Sequence, residues 1–201
     1  MNKSKLLKQI ISGLVIVSAI FLIYLSAYLP YKKAYLYISA MNESRKAKTL
    51  DEFLIPFNRF FNFWSPVGNP EGIRFFAGDV SGILRNESLP KEVAKELAEY
   101  SFNLLNSDVK GMKGLNYAQG ILYEAEIAYV YGILHKDEGY LKKAEELYKK
   151  GLELSPKRPQ FLYGLFGLYL NTGRKEEAKK IGEEILKYWP NDEKIKSIIK
   201  Q

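Results

Sequence analysis

The longest uncharged run lies near the N-terminus. From Gln9 to Tyr31 no residue carries a charge, whereas Lys3, Lys5 and Lys8 precede the run and Lys32 and Lys33 follow it. About 23 residues at roughly 1.5 Å each give about 34 Å of helix, enough to cross a hydrocarbon core with slight tilt. Ile, Leu, Val and Phe occupy every helical face, and Tyr24, Tyr28 and Tyr31 gather at one end, where an interfacial aromatic belt belongs. The pattern predicts a basic segment at 1–8 and a single membrane-spanning helix at 9–31. A cleaved signal peptide is the competing reading: Ala27 is the nearest cut site, but Leu25 two residues before it departs from the small-x-small rule. A buried core helix would keep a polar side, and this run has none. Lysines at both ends leave orientation open; a short basic flank before a first span favours the cytoplasm, which puts the soluble part on the extracytoplasmic side.

Residues 32–110 read as a helical stalk followed by degenerate helices. Tyr31 to Arg45 can continue the membrane helix. Thr49 with Glu52 is a capping-box pattern opening a new helix, which Pro56 is expected to kink or restart. Phe57, Phe60, Phe61 and Trp64 recur at helical spacing, a stripe that suits a packed core better than a face lying on the membrane. Residues 65–70 (SPVGNP) form a loop by composition. Helices are then expected at Ile73–Leu84 and after Pro90, the latter with Val93, Leu97, Tyr100 and Leu104 on one face.

In the last ninety or so residues the polar–apolar pattern repeats. LKKAEELYKKGLELSPKRP from Leu141 matches KEEAKKIGEEILKYWPNDE from Lys175, so that Ala144 aligns with Ala178, Leu152 with Leu186 and Pro156 with Pro190. Gly139 and Gly173 share that offset of about 34 residues, the period of one helix–turn–helix repeat. Residues 125–192 therefore resemble two consecutive tetratricopeptide repeats. The resemblance implies an all-α fold: a single transmembrane helix, then an α–α superhelical repeat domain over 111–201, closed by a capping helix at Glu193–Lys200. Ala144 and Ala178 are small where two helices approach, Gly139 and Gly173 are expected in the turns, and Pro156 and Pro190 stop the second helices. Two repeats bury little by themselves, so helices at 91–105 and 115–123 are expected to supply further layers. Ala128 and Gly182 stand where the family places large aromatics, which predicts looser packing. Glu145, Glu146, Glu176 and Glu177 are expected on solvated faces.

Composition narrows the chemistry. There is no cysteine and one histidine, His135, so thiolate sites and His-based metal or triad arrangements are not expected. No phosphate-binding or zinc-protease motif occurs. The net charge of +7 is spread along the chain, which favours solubility over nucleic-acid binding. The expectation is a non-enzyme with no cofactor, no metal, no small-molecule substrate and no nucleic acid. What the resemblance implies instead is a groove for a protein or peptide. Its positions carry over to Glu126, Tyr129, Ile133 and Lys136 in the first repeat, and to Gln160, Tyr163, Leu170 and Asn171 in the second. Tyr129, Tyr163 and Asn171 are expected to hold a partner segment, against the alternative that both tyrosines pack on neighbouring helices. A weaker resemblance spans most of the chain: the apolar run, the segment FNRFFNFWSPVGNPEGIR with Glu71 and Arg74, and the repeats are similar to the C-terminal region of bacterial O-antigen ligase and polymerase-type membrane proteins, without their multi-span catalytic part. Three functions follow: a membrane-anchored interaction scaffold of the cell envelope, an accessory module of a polysaccharide ligase or polymerase, or a secretion and translocation helper. The first fits the residues best.

Overall fold

The computed structural model describes residues 3–109 and 115–200, and every regular element in them is a helix. The expected domain border at 110/111 lies outside the described residues. The chain divides into two compact units, Met1–Gly72 and Ile73–Gln201.

In the first unit α1 (Lys3–Ile23), a π turn (Tyr24–Tyr28) and α2 (Leu29–Ser44) follow one another without a break. The stretch Leu7–Ser44 is long and apolar enough to cross a membrane. Pro30 accounts for the π turn. Its nitrogen cannot donate to the carbonyl of Ser26, and its ring crowds that carbonyl, so the preceding turn widens. Helix α3 (Leu50–Asn62) starts as the capping pattern predicts: the Glu52 amide donates to Thr49 Oγ1 at 3.2 Å, and Glu52 Oε2 accepts from the Lys48 amide at 2.8 Å. Helix α3 runs through Pro56, so the helix is not restarted there. It lies antiparallel to α2, with the Tyr37 ring meeting those of Phe57 and Phe60 edge-on at 5.9 and 5.1 Å. Phe57 and Phe60 are core, as the stripe predicts, but Trp64 falls beyond the end of the helix and is exposed.

Lys33, which follows the uncharged run, is buried, 2% exposed. Its ammonium donates to the carbonyls of Phe60 (2.6 Å) and Phe63 (2.7 Å) and to Asn69 Oδ1 (3.0 Å), above the Phe60 ring. Three donors meet three acceptors, two of them from the carbonyl-rich end of α3, where a cation also complements the helix dipole.

Helix α4 (Asn69–Ile83) begins four residues before the expected Ile73, inside the stretch read as loop. Within the second unit its Ile73, Phe76, Ala77 and Val80 are buried. In α5 (Lys91–Val109) the buried face is Ala94, Leu97, Ala98, Phe102 and Leu105. Of the four residues expected there, Leu97 alone is fully buried, and Val93, Tyr100 and Leu104 lie at the edges of that face. The repeats follow as α6 (Leu115–His135) with α7 (Glu138–Leu154), α8 (Pro159–Asn171) with α9 (Lys175–Tyr188), and the short α10 (Glu193–Ile199). The expected separate helix at 115–123 does not form; α6 is unbroken over all its 21 residues.

Close approach explains several small residues. A β-carbon on Gly132 would lie 2.9 Å from the Leu141 side chain and 3.0 Å from its backbone nitrogen, and one on Gly151 would lie 2.2 Å from the Phe161 ring. Ala144 and Ala178 are buried as expected. Gly182 does not loosen the packing, since Ile199 and Phe166 fill the space that a side chain would need. The two turns differ. Gly173 turns the second hairpin with φ +73°, but in the first hairpin Lys136 takes that role with φ +52°, and Gly139 lies inside α7. Asp137 caps α7 by accepting from the Tyr140 amide at 3.2 Å. As a result α7 has 17 residues against 14 in α9.

Candidate functional site: a cleft at the turns of the two hairpins

The residues that end α6 and α8 are brought together by the stacking of the two hairpins. Ile133 and Lys136 from α6 and its turn, Leu141 and Lys142 from α7, Leu168 and Asn171 from α8, and Arg174 after the second turn line an open cleft of about 950 Å³. Its lining combines these apolar side chains with three cations and two carboxylates, Glu138 and Glu145. Asn171 Nδ2 donates to the Tyr129 hydroxyl, tying α8 to α6 beside the cleft, and the Tyr129 ring stands edge-on to Tyr148.

One wall is a polar network that the sequence reading placed in solvent. Glu145 accepts from Arg174 Nη1, from the Lys149 ammonium at 2.6 Å and from the Tyr169 hydroxyl at 2.9 Å. Arg174 also donates to Glu177 at 2.9 Å and stacks over the Tyr169 ring. Burial works to raise the pKa of Glu145, but the hydrogen bonds from Arg174, Lys149 and Tyr169 outweigh it and hold the carboxyl down at about 2. Glu145 is thus an ionised clamp between the hairpins. Glu146 and Glu176 are exposed as expected. The signal for Glu145 was legible: it shares the helical stripe of Leu141, Ala144 and Tyr148, and a charge on such a stripe needs a partner.

Of the eight residues carried over from the family, Ile133, Lys136 and Asn171 line this cleft and Tyr129 joins it through Asn171. The other four lie elsewhere. Glu126 is half-buried; burial raises its pKa, with Arg85 opposing. Gln160 is exposed at the start of α8 and accepts a long bond of 3.4 Å from Arg158. Tyr163 donates to Asp192, the residue that caps α10, and its ring lies 6.0 Å from Trp189. Leu170 faces a smaller cleft, about 370 Å³, with Phe166, Lys179 and Ile199. Lys142, Glu145 and Arg174 were missed, and all three come from the second helix of a hairpin or its cap rather than from the first helices that carry the family's groove positions. Among the described residues, no group of three or more His, Asp or Glu is placed to hold a metal ion.

A family model of the tetratricopeptide repeat matches residues 136–201, from the first turn through α10, leaving α6 outside the match. No curated protein and no solved structure matches the chain. With the period, the stacked hairpins and this match in agreement, the segment 136–201 is a tetratricopeptide repeat region.

Proposed function

We propose that this protein is a membrane-anchored scaffold that captures a protein or peptide partner in the cleft at the hairpin turns. The observation that carries the reading is the cleft itself, lined by the apolar Ile133, Leu141 and Leu168 and by Lys136, Lys142 and Arg174, with Glu138 and Glu145 beside them. Tetratricopeptide repeats are interaction modules, and this arrangement suits an extended segment with apolar side chains and acidic neighbours. Lys136 and Lys142 are the free attractors, because Arg174 is engaged by Glu145 and Glu177. The uncharged run at 9–31 is read as the anchor, tethering the repeats to the envelope membrane. Tyr129 and Asn171 are bonded to each other beside the cleft, and each keeps a further hydrogen-bonding group, the Tyr129 O–H and the Asn171 side-chain carbonyl, for a partner.

The test is site-directed crosslinking in cells. A photoreactive residue in place of Ile133 or Lys142 should capture the same partner band, whereas one in place of Glu183, exposed on α9, should not. Lys142→Glu, at an exposed position, should weaken capture roughly threefold to tenfold, more at low salt than at high salt. Equal capture from Ile133 and Glu183, or none from either cleft position, rules the cleft out.

A further inference from the structure

The loop between α3 and α4 carries two large apolar side chains that nothing in the first unit covers: Trp64 is 67% and Val67 57% exposed. Their neighbours on α3 are sunk in the core, so this exposure belongs to the loop and not to the stripe. The level of the loop along α2 is fixed. Lys33 bonds the carbonyls of Phe60 and Phe63 and the side chain of Asn69, and its stem lies 3.3 Å from the position a β-carbon on Gly68 would occupy. The segment 60–69 is therefore tied to Lys33 at Phe60, Phe63 and Asn69 and packed against its stem at Gly68. Lys33 itself follows Tyr31, the last residue of the uncharged run, by about 3 Å along the helix axis. Because the π turn and α2 continue α1 directly, that level is where a bilayer crossed by 9–31 gives way to water. Tyr28, Tyr31 and Tyr35 are exposed on the same stretch of helix.

We infer that the Trp64–Val67 loop is a second membrane contact: it inserts Trp64 and Val67 into the interfacial layer of the bilayer beside the span, with Lys33 as the internal strut that sets its depth. Tryptophan beside tyrosine is the residue type that this layer selects, apolar over most of its surface with a polar edge for the headgroups. The occupant is lipid rather than a partner protein because the loop stands at the foot of the spanning helix, where lipid is the nearest solvent. This inference rests on the reading of 9–31 as the anchor. It adds a monotopic contact that keeps the α2–α3 hairpin docked on the surface.

The test uses the full chain with Trp189→Phe, which leaves Trp64 as the sole tryptophan. It is reconstituted into vesicles of phosphatidylcholine and phosphatidylglycerol, with or without bromine on the acyl carbons nearest the glycerol. Flotation on a density gradient reports the anchor, and Trp64 emission reports the loop. The expected result is flotation together with a blue-shifted emission that shallow bromine largely quenches. Val67→Asp, at an exposed position that leaves the core untouched, should keep flotation and remove most of the quenching. Lys33→Met should do the same by freeing the loop. Flotation with unquenched Trp64, red or blue, overturns the inference and spares the anchor; a blue, unquenched signal would mean a protein covers the loop. A chain that fails to float removes the anchor and this inference together.

Discussion

Glu145 concentrates the electrostatics of the repeats in one carboxylate. With a folded-state pKa of about 2 against an ordinary 4.5, its contribution to stability is whole above the unfolded value and is lost as pH falls through the folded one. Replacing it with Gln keeps the shape and some hydrogen bonds but leaves Lys149 without its charge partner and Arg174 with Glu177 alone. Arg174 is partly open to solvent, which screens the loss, so Glu145→Gln should cost about 1–2 kcal/mol at neutral pH. The gap in thermal stability between the two proteins should narrow as pH drops from 4.5 toward 2. A gap that stays constant across that range would mean the carboxylate is not clamped. The turns give a second, signed prediction. Nothing stands within 4 Å of a β-carbon on Gly173, so Gly173→Ala pays for left-handed backbone alone, about 1 kcal/mol, whereas Lys136→Gly relieves the same conformation and should be neutral or gain a few tenths. Urea unfolding of both variants checks the pair of signs.

At the level of elements, the sequence pattern announced most of what forms and missed what depends on contact. The capping pair Thr49 and Glu52, the small Ala144 and Ala178, the stops after α7 and α9 and the buried Phe57 and Phe60 were legible because each is a local rule or a clear periodicity. Gly139 misled because an aligned glycine need not do an aligned job. Asp137 offers a better helix start three residues earlier, and once α7 begins there the turn must close on Lys136. The merging of 115–123 into α6 was hidden because the stretch is apolar on nearly all sides, so no polar stripe marks a break. Gly182 looked like a defect until the position of Ile199 was known, a contact between elements that no window of sequence contains. The cleft shares that cause: Lys142 and Arg174 belong to different hairpins, and only stacking sets them on one rim.

For the repeat unit as a whole, α10 is a structural lid on the last hairpin. Ile195 is buried, Ile199 fills the hollow at Gly182, and Asp192 both caps α10 and accepts from Tyr163. Ending the chain before Asp192 strips one apolar face from α9 and should cost about 2 kcal/mol, the scale of re-exposing the apolar contacts that Ile195 and Ile199 cover. The expected signature is a lower urea midpoint together with dye binding to newly exposed apolar surface. An unchanged midpoint would show that two hairpins suffice without the lid.

The π turn at Tyr24–Tyr28 carries a consequence for how the rod tolerates change in length. A π turn is a helix that has absorbed one surplus residue while the turns on either side keep their phase. Losing a single residue inside 24–28 would therefore leave the tyrosines and Lys33 below it pointing as before, with an ordinary turn in its place. The same loss one turn further along α2 would swing Lys33 by about 100° away from the α3 carbonyls it serves. Evolution or engineering can shorten this rod at one spot without rotating what hangs from it, and Pro30 marks that spot.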